Sequence, residues 1–120
     1  MLVLGPGDRA PAPAQDPLAP IRRRFLAAVE AHAFELAMLR RDAEEPASRR
    51  RALTDIMMIA HRVSGVAATL GFRTLGDVAA ELDRKLGLAL KSGPLEVREF
   101  DGTVARFHAA LHDAQIEQPG

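Results

Sequence analysis

Four histidines are the side chains best suited to chemistry in this sequence, which contains no Cys. Imidazole can act as a nucleophile, a general acid or base, or a metal ligand. His61 lies in the small-residue stretch AHRVSGVAATLGF, residues 60–72. His108 and His112 are four residues apart, a spacing that suits a metal, but they flank an apolar stripe and no pair of acidic residues accompanies them, so we expect boundary residues without a metal. His32 falls on the apolar stripe of the first predicted helix, which predicts a hydrogen-bonded, buried or half-buried ring.

The orientation of His61 follows from helical periodicity. At about 100° per residue, a set of apolar residues lies within roughly 60° of the direction opposite His61. The set is Ala52, Ile56, Ile59, Val63, Val66, Ala67 and Leu70. On the histidine's own side lie uncharged residues: Thr54, Met57, Met58, Ser64, Gly65 and Ala68. Solvent-facing helix surfaces are normally rich in charge, so we predict an exposed imidazole at the centre of a surface that another macromolecule approaches closely. Gly65 costs roughly 1 kcal/mol of helix propensity there, and we interpret it as clearance beside the ring.

Four amphipathic segments surround this site. Helix one is predicted from Ile21 to about Arg41, helix two from Pro46 to an end near Gly71, and helix four from Pro94. The apolar residues of each segment fall on one predicted core face: Ile21, Phe25, Val29, Leu36 and Leu39 in helix one; Leu75, Val78, Leu82, Leu86 and Leu90 in helix three; Val97, Phe100, Val104, Phe107, Leu111 and Ala114 in helix four. We predict an all-α, up-down antiparallel four-helix bundle over residues 21–114. Residues 1–20, with five prolines, are predicted to form a disordered or extended arm, and residues 115–120 a tail.

Composition narrows the class of protein. The chain has 120 residues, enough for one domain, with 16 basic and 16 acidic residues. Without net charge or interleaved aromatics, the arginine runs at 22–24 and 49–51 are interpreted as solvated helix faces, not a nucleic-acid site. No segment resembles a signal peptide or a membrane span, so we expect a cytoplasmic protein without nucleic-acid or membrane partners. Phe34 and Met38 lie off the core stripe and either extend the docking face or pack on the arm.

The stretch from Ala60 to Asp83 resembles the signature of histidine-containing phosphotransfer (HPt) domains of two-component phosphorelays. The matching residues are His61, Val63, Gly65, Val66, Ala67, Leu70, Gly71, Leu75, Ala79, Leu82 and Asp83. The family often has a lysine three residues after the histidine, where this chain has Ser64. Serine can donate a hydrogen bond to a phosphoryl oxygen but carries no positive charge. Positive charge would come from the partner or from one of four side chains: Arg62, Arg73, Arg84 or Lys85.

The resemblance implies a phosphoryl carrier without its own ATP-binding domain, and therefore not an enzyme. A phospho-aspartate receiver domain would dock on Met57, Met58, Ser64, Gly65 and Ala68, transfer its phosphoryl group to His61, and supply the Mg²⁺ itself, so that the chain needs no cofactor. Ser64, Gly65 and Arg62 would support the phosphoryl group. The expected partners are receiver domains and a hybrid or sensor histidine kinase.

Two alternatives stay open. One is an HPt-like adaptor that binds a receiver or kinase without being phosphorylated. The other departs from the monomer that we expect: a dimer formed through the regular apolar seam of helix four.

Overall fold

A computed structural model describes residues 16–116. It has four helices: α1 (Ala19–Asp42), α2 (Pro46–Ala67), α3 (Arg73–Ala89) and α4 (Val97–Ala114). α1 packs on α2 and α4, and α3 packs on the same two helices, which confirms the all-α four-helix bundle. The predicted arm falls mainly on residues 1–15 and the end of the tail on residues 117–120, outside the described part of the chain. Among residues 16–116, no helix combines the length and apolar character needed to cross a bilayer.

The core stripe of α1 runs through Phe25, Val29, Leu36 and Leu39, all buried. The prediction that Ile21 belongs to this stripe is wrong, because its side chain is exposed. The Phe25 ring lies 5.5 Å from that of Phe72, centroid to centroid, where the chain turns from α2 into α3. Ile21 is one turn nearer the start of α1, and α2 does not extend far enough to cover it.

Two arginines of the run interpreted as a solvated helix face also bind helix ends, Arg50 being exposed and Arg49 half-buried. Arg49 donates to the carbonyl oxygens of Ala43 and Glu44, beyond the last turn of α1, at 2.8 and 2.9 Å. Arg50 donates to the carbonyl oxygens of Leu90 and Gly93, after α3, at 3.0 and 3.3 Å. The last carbonyls of a helix have no partner within it, and a cation there also complements the helix dipole. The run therefore ties three helices together.

Small residues bring α2 and α3 close together. A Cβ at Gly76 of α3 would lie 3.3 Å from the backbone nitrogen of Ala68 and 3.6 Å from the Cβ of Ala67. Ala60 and Leu53, on the α3 side of α2, are buried, whereas Val66 on the α1 side is exposed. The prediction that Val66 is a core residue is therefore wrong. The buried arc of α2 is rotated by about 40° toward α3 from the direction opposite His61.

The ends of α2 and α4 differ slightly from the predicted ones. The α2 helix ends at Ala67, and Gly71, at φ +96°, closes the turn that follows, as its position predicts. The prediction that α4 begins at Pro94 is wrong: Glu96 is extended and α4 begins at Val97. Gly93 has φ +112°, and its carbonyl is bound by Arg50, which holds this connection as a turn.

The apolar seam of α4 faces the bundle interior. Phe100, Val104, Phe107 and Leu111 are buried, whereas Val97 is half-buried at the edge. On the adjoining side, Arg40 of α1 donates to Nδ1 of His108 at 3.1 Å and to Asp101 at 3.4 Å. The internal core thus accounts for the seam without a second chain.

Candidate functional site

His61 lies on the outward side of α2, less than two turns before the helix ends, and its side chain is 71% exposed. Its Nδ1 lies 2.9 Å from Oδ2 of Asp83, on α3. The outward orientation follows the prediction from the helical wheel. The contact with Asp83 adds a carboxylate to a surface that the α2 residues alone left uncharged.

The contact with Asp83 assigns the protons of the His61 ring. An ionised carboxylate has only acceptor atoms, so the hydrogen bond requires the proton on Nδ1 of the imidazole. In the neutral ring, the lone pair available for attack is then on Nε2. With this hydrogen bond, Nε2 is the ring nitrogen whose lone pair is free.

The close approach of α2 and α3 makes this pair possible. The buried arc of α2 is rotated toward α3, so the centre of its exposed face lies near Gly65 and not at His61. His61 lies about 40° from that centre, on the side toward α3. On α3, Asp83 directly follows the buried Leu82, at the edge where α3 faces α2. Gly76, two turns earlier, permits the close approach of the two helices.

Ser64 and Gly65 lie about one turn after His61 in α2. The Ser64 hydroxyl donates to the carbonyl oxygen of His61 at 3.0 Å, a common use of serine in helices, and its oxygen lone pairs can still accept. Apart from its chain neighbours and the backbone of its own helix, a Cβ at Gly65 would meet no atom of residues 16–116 within 4 Å. Packing within the bundle therefore does not require a glycine at this position, and the open space lies on the outer surface.

Among the other predicted docking residues, Met58 lies near the centre of the outward face of α2, whereas Met57 and Ala68 lie on the side toward α3. Met58 and Ala68 are exposed. Met57 is half-buried, and its Sδ lies 3.9 Å from where a Cβ would stand on Gly87 of α3. Met57 is thus partly used for packing, and its free surface is smaller than the sequence suggests.

The candidate cations lie mostly away from the His61–Asp83 pair. Arg62 is exposed on the side of α2 that faces α1, where its charge acts on His32. Lys85 binds Glu81 at 3.4 Å and Thr103 of α4 at 3.2 Å, so its ammonium group is directed toward α4. Arg73 and Arg84 are exposed on α3.

His32 and His108 are half-buried and contact neighbouring side chains of the bundle. His32 is half-buried, as predicted; burial lowers its pKa, Glu35 raises it, and the charge of Arg62 lowers it again. Its Nδ1 lies 4.0 Å from Glu35 Oε1, too far for the predicted hydrogen bond. The pKa of His108 is lowered by burial and by Arg40, and its Nδ1 accepts the hydrogen bond from Arg40.

Asp83 is the functional candidate whose role the sequence analysis missed. It stands in the matched signature only as an acidic end. The available signal was its position: it follows the core residue Leu82 by one, which places it at an edge of α3, and α3 follows α2 after a short turn. Periodicity alone does not say which neighbouring helix that edge meets.

Comparison with known families and proteins gives one result. The family model of the Hpt domain matches residues 21–117. No curated protein and no solved structure matches the chain. Hpt domains are phosphocarriers, not enzymes with ATP-binding domains; they have a histidine phosphotransfer role in two-component systems, and they interact with receiver domains and histidine kinases. Because the match covers most of the chain and includes all four helices, this protein belongs to the Hpt domain family.

Proposed function

We propose that this protein is a phosphorelay intermediate that accepts a phosphoryl group on His61 from a phospho-aspartate receiver domain and passes it to another receiver domain. The observation that carries this proposal is the exposed His61 ring with its Nδ1 bound to Asp83 at 2.9 Å. An exposed nucleophile suits a carrier, because both donor and acceptor are other proteins that must reach it.

The proposed transfer uses one nitrogen of the ring. The Nε2 lone pair attacks phosphorus in line with the bond to the receiver's aspartate, the N–P bond forms, and the P–O bond breaks. The aspartate leaves as a free carboxylate, and no proton needs to move, because the ring proton stays on Nδ1. The reverse sequence delivers the group to the next receiver.

Asp83 is a positioning residue in this mechanism. When Nε2 bonds to phosphorus, the ring becomes cationic, and the adjacent carboxylate stabilises that charge. Asp83 also holds the tautomer in which Nε2 is nucleophilic before transfer. Both effects act through Nδ1.

The proposed support for the phosphoryl group combines local and partner residues. Gly65 leaves space beside the ring, and the Ser64 oxygen lies one turn along on the α3 side. Arg62, exposed on the opposite side, can reorient toward a bound phosphoryl group. The Mg²⁺ that offsets charge during transfer belongs to the receiver domain.

Phosphorylation of His61 is tested with a panel of phosphorylated receiver domains and Mg²⁺, with phosphoramidate as a small-molecule donor. We expect an acid-labile, base-stable label on the wild type and none on His61→Gln. His112→Gln, which changes another exposed histidine, is the matched control and should be labelled normally. Label on His61→Gln would contradict the assignment of the acceptor. Binding to a receiver without label from any donor would favour the adaptor function instead.

The role of Asp83 is tested by Asp83→Asn, with Asp77→Asn on the exposed face of α3 as its control. An asparagine amide can donate to Nδ1, which would shift the proton to Nε2. We expect the ¹⁵N chemical shifts of His61 to report this tautomer change and transfer to slow at least about tenfold, equivalent to roughly 1.4 kcal/mol. An unchanged tautomer and rate in Asp83→Asn would refute the positioning role.

A further inference from the structure

A second uncharged surface lies on the outer side of α1. Taking Leu36 as the core direction, four residues in the stretch of α1 from Ala27 to Met38 lie within about 40° of the opposite, outward direction. They are Ala27, Ala31, Phe34 and Met38, all exposed, which we call the α1 outer strip. Phe34 is 74% and Met38 49% exposed. An exposed phenylalanine beside an exposed methionine is the kind of aromatic anchor that binding surfaces use.

The α1 outer strip lies at the same height along the bundle as His61. α1 and α2 are consecutive antiparallel helices, and the Ser48 hydroxyl of α2 donates to the carbonyl oxygen of Asp42 of α1 at 2.7 Å. Equal numbers of residues counted back along α1 and forward along α2 from this contact bring His61 level with about residue 29 of α1, between Ala27 and Ala31. The charge of Arg62 reaches His32 on the same stretch of α1. The strip therefore passes the level of the phosphoryl-accepting site, on the helix next to α2.

The size of a protein interface connects the two surfaces. A specific complex buries about 800 Å² on each partner, which corresponds to a disc of roughly 16 Å radius. A helix with its side chains is only about 10–12 Å across, and packed helices lie about 8–10 Å apart. A partner centred on His61 must therefore extend beyond α2 onto α1, α3 or both.

The two neighbours of α2 differ in character. The outward face of α3 carries Arg73, Asp77 and Arg84 within about 40° of its own outward direction. The equivalent arc of α1 carries no charged residue between Ala27 and Met38. Arg23 and Arg41 lie on this arc about one turn beyond its two ends, and Glu30 and Glu35 lie at its two margins. Interfaces have an apolar, charge-depleted centre and a polar rim, so the apolar part of the footprint falls on α1.

We propose that the α1 outer strip, with Phe34 as its anchor, is the part of the receiver-docking surface that sets affinity for the partner. This inference rests on the proposed phosphotransfer by His61. Phe34 and Met38 take no part in the reaction. Their loss should raise the concentration of receiver needed for transfer without slowing the reaction of the bound pair.

The test uses the full chain with Phe34→Ser and Met38→Ser, and a phosphorylated receiver domain that labels the wild type. Leu88→Ser is the matched control, because Leu88 is also a large exposed apolar residue, at 63%. It lies two turns after Glu81, which binds Arg106 of α4, and so it faces away from α2. We expect each α1 variant to raise KM for the receiver about tenfold with kcat within about twofold, and Leu88→Ser to change neither.

Phosphoramidate separates failure of this proposal from failure of the proposed function. It should label His61 equally in the wild type and in all three serine variants, because it needs no docking surface. An unchanged KM in Phe34→Ser would overturn the docking proposal, and so would label from phosphoramidate but from no receiver. The docking proposal also fails if another occupant covers the strip. A second copy of the chain is indicated if sedimentation shows that the wild type is a dimer and that Phe34→Ser dissociates it. The N-terminal arm is indicated if deletion of residues 1–15 abolishes the effect of Phe34→Ser. Absence of phosphoramidate label on the wild type would instead overturn the role of His61.

Discussion

Replacing Gly65 with alanine should stabilise the protein and impair its function at the same time. Gly65 lies within α2, where alanine is favoured over glycine by about 0.5–1 kcal/mol. Apart from its chain neighbours and the backbone of its own helix, a Cβ there would meet no atom of residues 16–116 within 4 Å, so this gain should be fully expressed. For a domain of this size it corresponds to a rise in Tm of roughly 2–6 °C.

In the proposed function, the same methyl group projects into the space beside His61 that the phosphoryl group and the receiver enter. Overpacking of a close contact costs about 1–3 kcal/mol, which corresponds to a fall in transfer rate of about 5- to 150-fold at 1.4 kcal/mol per tenfold. Gly102→Ala is the control, since Gly102 lies within α4 and its Cβ would also meet no described atom. It should raise Tm similarly and leave transfer unchanged.

Thermal unfolding followed by circular dichroism and receiver-to-protein transfer measured on the same samples provide both readouts. Gly76→Ala completes the series, because its Cβ would lie 3.3 Å from the backbone of α2; its gain in helix propensity should be offset by strain. A Gly65→Ala protein that is stabilised but transfers at the wild-type rate would refute the clearance argument. A destabilised Gly65→Ala protein would refute the packing argument.

Two further predictions concern stability. Burial and Arg40 hold the pKa of His108 below its usual 6.5; the unfolded chain therefore binds the proton more tightly, and stability present above about pH 6.5 is lost as the pH falls below it. Burial lowers the pKa of His32 as well, so His32 also contributes to the loss of stability in acid. Urea titrations should therefore show that His108→Gln loses less stability on acidification than the wild type, but still loses some. An equal loss in the two proteins would contradict the contribution of His108. Arg50→Met removes two charge-assisted hydrogen bonds to carbonyl oxygens after α3 and should lower the free energy of unfolding by about 1–3 kcal/mol. The control Arg51→Met, which changes an exposed neighbour, should change the free energy of unfolding by less than about 0.5 kcal/mol. Equal effects of the two substitutions would show that Arg50 is not a helix cap.

Most of the fold follows from local patterns that the sequence displays directly. The three- and four-residue steps of Phe25, Val29 and Leu36 predict the buried side of α1, and Gly71 predicts the turn after α2. These features depend on one segment at a time, which is why periodicity and turn residues suffice. The failures occur at the margins: Ile21 and Val66 fit the stripes but lie where no neighbouring helix covers them.

The candidate site likewise has features that one helix determines and features that depend on packing between helices. The outward orientation of His61 and the uncharged residues around it are properties of α2 alone. Other features depend on which edges of neighbouring helices pack together. They are the hydrogen bond to Asp83, the capping of helix ends by Arg49 and Arg50, and the contact of Lys85 with α4.

The sequence by itself determined that this chain forms four amphipathic helices, that His61 is on an outer surface, and that it resembles a phosphotransfer domain. Only the tertiary structure decided the chemistry around the ring. The small residues at Ala60, Ala67 and Gly76 let α2 and α3 approach closely, and this approach rotates α2 so that His61 reaches Asp83. That rotation is set by packing between helices, which no single helix encodes. In the proposed mechanism it selects Nε2 as the nucleophile, and in the structure it leaves Gly65 at the centre of the exposed face.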